Sequence, residues 1–266
     1  RELVHLVRYY RDTGRDVLGR FYLHTVFVGN PGTGKTTVAR ILTKIYKALG
    51  VLERGHMLET DRQGLVAGFV GQTAIKTAER VDEAMGGVLF IDEAYALTST
   101  GRGSQGDFGD EAIQTMLKRM EDHRGEFFVF VAGYPENMDN FLKANPGLAS
   151  RFDKVLRFED YSPEELLEIA LYMFQQEHYR VEEDAREQLG KYLTFLHQFR
   201  DKYFGNARSV RQVVLEAIKN QNLRVAAAKL REDQEVHTIM LDDVATFTFD
   251  KDKLNLFVRK GIGFGK

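Results

Sequence analysis

The 266-residue chain contains no cysteine and only four prolines. Without cysteine there can be no disulfide, no thiolate metal site and no thiol nucleophile. The same absence fits a reducing cytoplasm, the expected location. No apolar run approaches the roughly 20 residues needed to cross a bilayer. The start, Arg1-Glu2-Leu3-Val4-His5, lacks the apolar core of a signal peptide, so no membrane partner is expected. A strong charge of either sign is missing too, with 37 Lys+Arg against 39 Asp+Glu. That balance gives no electrostatic footprint for nucleic acid, and none is expected as a partner. The first residue is Arg rather than Met, so a further N-terminal piece is expected upstream. Repeats, low-complexity tracts and Pro-rich linkers are absent as well, which argues for tightly joined parts.

What is present alternates. Tyr22 to Val28 is rich in β-branched and aromatic residues and stops at Gly29, as a buried strand feeding a turn does. Val38, Ile41, Leu42, Ile45, Tyr46 and Leu49 then recur at helical steps before Gly50. Further apolar runs at 88–91, 127–132 and 155–158, with helical stretches between them such as 111–122, predict a mainly parallel sheet covered by helices on both faces. After Phe158 the pattern changes. Ser162-Pro163-Glu164-Glu165 is a capping box with proline at the first helical position, opening a helix to about His178. Helical patterns follow at 182–202 and 209–230, then an extended piece near 238–240 and a turn of helix at Asp242. The expectation is an α/β domain over 1–158 and a smaller helical domain over 159–266.

Gly29-Asn30-Pro31-Gly32-Thr33-Gly34-Lys35-Thr36 is a complete phosphate-binding loop, standing between a predicted strand and a predicted helix. Its glycines let backbone N–H groups turn inward, and the following helix adds the positive end of its dipole. Asn30, Pro31, Gly32, Thr33, Gly34, Lys35, Thr36 and Thr37 are therefore the candidate ATP-binding residues. Lys35 is placed at the β- and γ-phosphates, and the Thr36 hydroxyl on Mg²⁺. The apolar run 88–91 ends in Asp92-Glu93, which suits one carboxylate beside the metal and one beside the attacking water. Arg151 follows a turn in Asn145-Pro146-Gly147-Leu148-Ala149-Ser150-Arg151-Phe152, and Arg208 opens a helix in Gly205-Asn206-Ala207-Arg208. A guanidinium near a γ-phosphate stabilises developing charge. On residue type alone, either arginine is more at home as a solvated surface group.

Together, GNPGTGKT at 29–36, VLFIDEA at 88–94, NPGLASRF at 145–152 and GNARSVR at 205–211 resemble the AAA+ ATPases. Gly86 to Tyr95, Val131-Ala132-Gly133-Tyr134 and Met138-Asp139-Asn140-Phe141 narrow the resemblance to the CfxQ/CbbX branch, which includes red-type Rubisco activase and sporulation stage V protein K. The resemblance covers nearly the whole chain. It implies a P-loop NTPase αβα sandwich with a mainly parallel five-stranded sheet, followed by a small, mainly helical lid domain. It implies ATP and Mg²⁺ as cofactors, with Lys35 and Thr36 on phosphate and metal, Asp92 on metal and Glu93 as water activator. Arg151 corresponds to the arginine finger entering a neighbour's site, and Arg208 to the sensor arginine of the lid. A finger in trans implies a ring, usually a homo-hexamer.

Phe69, Val70 and Gly71 fall where the family carries its first pore loop, and 98–110, with Gly101, Gly103, Gly106 and Gly109, would be the second. Packed beneath a turn, Phe69 would instead be a core residue. One departure stands out: where many AAA+ proteins have a polar sensor near the end of the fourth core strand, this chain has Ala132-Gly133-Tyr134. Tyr134 supplies a hydroxyl there, Asn137 stands on the next turn, or the sensing link is altered. The leading function is an ATP hydrolase that remodels a client protein through a central pore. The alternative is a nucleotide-controlled assembly module with slow turnover. A DNA-directed motor is disfavoured by the charge balance.

Overall fold

The computed structural model describes residues 2–69, 71–98, 108–152, 154–200, 204–228 and 236–250. Helix α1 (Glu2–Asp12) comes first, and the sequence reading did not place it. Strand β1 (Thr25–Gly29), helix α2 (Lys35–Ala48), strand β2 (Met57–Thr60), the one-turn helix α3 (Arg62–Leu65) and helix α4 (Gln72–Ala84) follow. Then come strand β3 (Val88–Ile91), a 3₁₀ turn (Ala94–Leu97), helix α5 (Phe108–Asp122), strand β4 (Phe128–Gly133), helices α6 (Pro135–Ala144) and α7 (Pro146–Arg151), and strand β5 (Lys154–Phe158). The five strands form one parallel sheet in the order β2-β3-β4-β1-β5. β2 escaped the sequence reading because Met57-Leu58-Glu59-Thr60 is a half-buried edge strand that shows no apolar run.

Strand side chains alternate between two covered faces, so the central strands read as continuous apolar runs. Phe27, Phe90, Phe128, Phe130 and Ala132 pack on one face with Val7 of α1 and with Ala39 and Tyr46 of α2. Val26, Val28, Leu89, Ile91, Val129 and Val131 pack on the other with α4, α5, α6 and α7. The aromatic layer is tight, with ring centroids 5.1 Å apart for Phe27 and Phe130 and 5.8 Å for Tyr46 and Phe128. The predicted apolar stripe on α2 is only partly used. Val38, Leu42 and Leu49 pack on this core, whereas Ile41 and Ile45 are exposed. Val155 and Leu156 of edge strand β5 are also exposed.

The later elements are helix α8 (Pro163–Gln176), strand β6 (Arg180–Val181), helices α9 (Glu183–Gln198) and α10 (Ala207–Ala228), strand β7 (Thr238–Ile239) and the one-turn helix α11 (Leu241–Val244). The predicted capping box holds α8: Glu165 N–H donates to Ser162 Oγ at 3.3 Å, and Ser162 N–H to Glu165 Oε2 at 2.8 Å. The core of this part is Leu166, Phe174, Leu189, Tyr192, Val213, Ile239 and their neighbours. The extended piece near Thr238 pairs in parallel with β6, which is too short for a sequence signal. Arg224 donates to both carboxylate oxygens of Asp243, which is 1% exposed, at 2.8 and 3.0 Å. By packing, the described residues divide into two units. One holds those up to Gly29 and from Gly34 to Phe158; the other holds Asn30–Thr33 and those from Glu159 onward.

Candidate nucleotide-binding site

In the first unit the sheet is parallel, so β1, β3 and β4 present their carboxyl ends at the same edge. That edge is where open α/β sheets place ligands. β4 lies between β1 and β3, which sets the ends of those two strands about 10 Å apart. Gly34 has φ 90° and ψ 10° at the cap of α2, a left-handed conformation that glycine adopts without penalty. Lys35 begins α2 and its Nζ donates to Gly29 O at 2.8 Å, so the ammonium is folded back onto the end of β1. Thr36 is half-buried and Thr37 exposed on the first turn. At the end of β3, Asp92 N–H donates to Thr60 O, and Asp92 Oδ1 accepts from Glu93 N–H at 3.0 Å. Glu93 itself is exposed and has φ 49° and ψ 42°.

Asn30–Thr33, the other half of the loop, pack within the second unit. Asn30 Nδ2 donates to Asp160 Oδ1 at 2.9 Å, and Tyr161 Oη donates to Thr33 O at 3.1 Å. Asn206, fully buried just before α10, is the hub. Its Nδ2 donates to Asp160 Oδ1 at 2.9 Å and to Pro31 O at 3.2 Å, and its Oδ1 accepts from Tyr161 N–H at 3.0 Å. Burial alone would raise the Asp160 pKa. Hydrogen bonds from Asn206 and Asn30, with the Arg200 guanidinium 3.4 Å away, outweigh it and hold the carboxyl below its ordinary range. A Cβ on Gly32 would stand 2.0 Å from Gly205 O, so that position must be glycine.

The other predicted residues are placed as follows. Arg151 ends α7, donates to Glu121 Oε2 at 3.0 Å and to Gly147 O at 3.3 Å, and so is engaged within its own subunit. Arg208 is exposed on the first turn of α10. Phe69 is 72% exposed, so it is not packed beneath a turn; Gly71, with φ 79°, caps α4. Val70 and residues 99–107 of the proposed second pore loop lie outside the described residues. Gly109, expected in that loop, is instead buried in α5, where a Cβ would meet Leu97 O at 2.0 Å. Sequence reasoning missed Asp160 and Asn206. Asn206 stood inside a quoted motif, but its role depends on partners up to 175 residues away.

Two family models match the chain: the ATPase family associated with various cellular activities (AAA), over residues 25–160, and the AAA lid domain, over residues 162–254. Stage V sporulation protein K of Bacillus subtilis is 42% identical over 229 residues, covering 86% of this chain and 70% of that protein. The chloroplastic ribulose bisphosphate carboxylase/oxygenase activase of Cyanidioschyzon merolae is 41% identical over 224 residues, covering 84% and 75%. Among solved structures, the FIGL-1 AAA domain in complex with ADP superposes with a TM-score of 0.58 over 92% of this chain and 80% of that one. At 17% identity this likeness concerns the fold.

Proposed function

This chain belongs to the AAA ATPase family, as an ATP-hydrolysing P-loop enzyme of the type that holds the CfxQ homologues, Rubisco activase and stage V sporulation protein K, and we propose that it uses ATP in a homo-hexameric cytoplasmic ring to remodel a client protein. The observation that carries the reading is the loop 29–36, a glycine turn between β1 and α2 at the sheet edge where β3 delivers Asp92 and Glu93. In this reading residues 1–158 are the nucleotide-binding domain and 159–266 the lid. Asn30 to Thr37 wrap the phosphates, with Lys35 leaving Gly29 O to take the β- and γ-phosphate oxygens. Thr36 and Asp92 are hard oxygen donors of the kind Mg²⁺ takes. The described residues hold no group of three or more His, Asp or Glu arranged for a metal, which fits an ion that completes its shell with phosphate and water. Bound there, Mg²⁺ would neutralise charge on the phosphates.

Glu93 accepts a proton from water as the water oxygen bonds the γ-phosphorus and the bond to the ADP oxygen breaks. Arg151 serves the site of the adjacent subunit once released from Glu121, and Arg208 serves as the lid's sensor arginine. Phe69, with Val70 and Gly71, offers apolar area that can grip any polypeptide.

Lys35→Ala should abolish tight Mg·ATP binding in titration calorimetry. Specific activity should rise with protein concentration, and mixing Lys35→Ala with Arg151→Ala should restore part of the activity at interfaces that pair an intact loop with an intact finger. Full, concentration-independent turnover by a monomer would contradict the ring. Normal ring assembly with slow turnover, whatever client is offered, would favour an assembly module instead.

A further inference from the structure

A multiply charged anion is held by N–H groups and repelled by carbonyl oxygens, so a loop that takes phosphate must keep its carbonyls turned outward. Here every carbonyl from Gly29 to Thr33 accepts from a donor. Lys35 Nζ donates to Gly29 O at 2.8 Å, and Thr33 Oγ1 to Asn30 O at 2.8 Å. The next three carbonyls are met from outside the loop. Asn206 Nδ2 donates to Pro31 O at 3.2 Å, Ala207 N–H to Gly32 O at 3.2 Å, and Tyr161 Oη to Thr33 O at 3.1 Å.

A trans peptide is flat, with its C=O and N–H pointing opposite ways. Donors on Pro31 O, Gly32 O and Thr33 O therefore turn the N–H groups of Gly32, Thr33 and Gly34 to the other side of the loop. The three donors act as one body. Tyr161 N–H donates to Asn206 Oδ1 at 3.0 Å, Ala207 follows Asn206 and begins α10, and the Tyr161 ring packs on the core of the second unit. Asn206 is 0% exposed, and Asp160 Oδ1 accepts from both Asn206 Nδ2 and Asn30 Nδ2 at 2.9 Å. At Gly32 backbone meets backbone: a Cβ there would also stand 2.9 Å from Arg208 N.

We infer that Tyr161 and Asn206 are positioning residues for the phosphates of ATP: by holding successive loop carbonyls outward they set the amides of 32–34 for the anion before it arrives. The inference rests on the reading of 29–36 as the phosphate site. It gives the buried amide of Asn206 a task beyond packing, because a loop whose peptides could flip would have to be ordered at the expense of binding. The phenol is suited to its part, since its ring is anchored in the core and its hydroxyl reaches the last outward carbonyl before α2 begins.

The test is Tyr161→Phe, which keeps the packed ring and removes only the donor to Thr33 O. Affinity for a non-hydrolysable ATP analogue with Mg²⁺, measured by titration calorimetry, should fall about fivefold, the share of one hydrogen bond. KM for ATP should rise by a similar factor while kcat at saturating ATP holds, because the loop amides bind the phosphates before and during the reaction alike. The melting temperature of the ligand-free chain should hold as well. Asn206→Gly removes the donor to Pro31 O and the acceptor of Tyr161 N–H together. At a temperature where circular dichroism shows this variant folded, binding should weaken by more than about tenfold; if it does not fold, Tyr161→Phe decides alone. If Lys35→Ala binds the analogue as tightly as the wild type, the reading of the loop as the phosphate site fails. If Lys35→Ala loses binding but Tyr161→Phe keeps wild-type affinity and KM, the loop reading stands and the positioning role is overturned. A Tyr161→Phe variant that melts earlier, or that loses kcat with KM unchanged, would make the hydroxyl structural and overturn the role as well.

Discussion

Glu93 and Asn206 share a left-handed backbone, with φ 49° and 46°, and stand in opposite circumstances. Asn206, in the second unit, is fully buried and uses both ends of its amide, on Pro31 O, Asp160 and Tyr161 N–H. Asparagine tolerates this region at little cost, so the conformation there serves the hydrogen bonds. Glu93, in the first unit, is exposed, is a residue type that the left-handed region penalises, and sits at the end of the strand that carries the acidic pair. Strain without a packing return is what functional positions show. The same backbone state thus serves a structural hub in one unit and, in the proposed mechanism, the water-activating position in the other.

The largest test of that contrast is Asn206→Gly. Glycine keeps the left-handed backbone, so the substitution isolates the amide. It removes three hydrogen bonds and leaves the half-buried Asp160 carboxylate short of a donor. Global stability should fall by about 2–4 kcal/mol in urea unfolding. A change below about 0.5 kcal/mol would mean the hub is replaceable by water.

The contrast also explains what could be read from the sequence. The phosphate loop, the acidic strand end and the capping box of α8 are contiguous segments whose chemistry is local, so spacing was enough to find them. The αβα arrangement followed from strands such as 127–132, whose unbroken apolar run reflects two covered faces. Asn206 and Asp160 gave no such signal. Their partners are brought up by the fold, and an asparagine before a helix or an aspartate after a strand is unremarkable alone. β2 and β6 were missed because an edge strand or a two-residue strand has no period to detect. Gly109 was misread as loop because glycine argues for freedom in a sequence, whereas here it permits close approach to Leu97.

His24 sharpens the comparison from the first unit, as a buried polar residue whose bond can be switched off by pH. Its Nδ1 accepts from Val129 N–H at 2.9 Å, and its ring lies among Phe127, Phe128 and Phe152. Burial, followed by the charge of Arg151, lowers its pKa from 6.5 to about 4. A depressed histidine pKa means that between pH 6.5 and 4 the unfolded chain holds a proton the folded chain refuses. The stabilisation is thus complete above pH 6.5 and is lost at about 1.4 kcal/mol per pH unit as pH falls towards 4. His24→Asn retains an acceptor but does not titrate. The difference in unfolding free energy between wild type and this variant should shrink by about 1 kcal/mol from pH 6.5 to 5.5. Parallel curves would mean the imidazole titrates alike in the folded and unfolded chain.

The smallest effect is the most pointed, because it asks the same substitution to give the opposite sign. At Glu93 a glycine relieves a left-handed backbone worth about 1–2 kcal/mol, offset by roughly 0.4–1 kcal/mol of added freedom in the unfolded chain. It loses only an exposed carboxylate. Glu93→Gly should therefore raise stability by about 0.5–1 kcal/mol while ATP turnover disappears. Glu93→Ala keeps the strain, so it should show the same loss of turnover with no gain in melting temperature. Separating the two variants matters, because a gain in both would come from removing charge near Asp92 rather than from the backbone. If Glu93→Gly instead melts earlier, the residue carries packing or hydrogen bonds comparable to those of Asn206, and its left-handed backbone would no longer single it out as a reactive position.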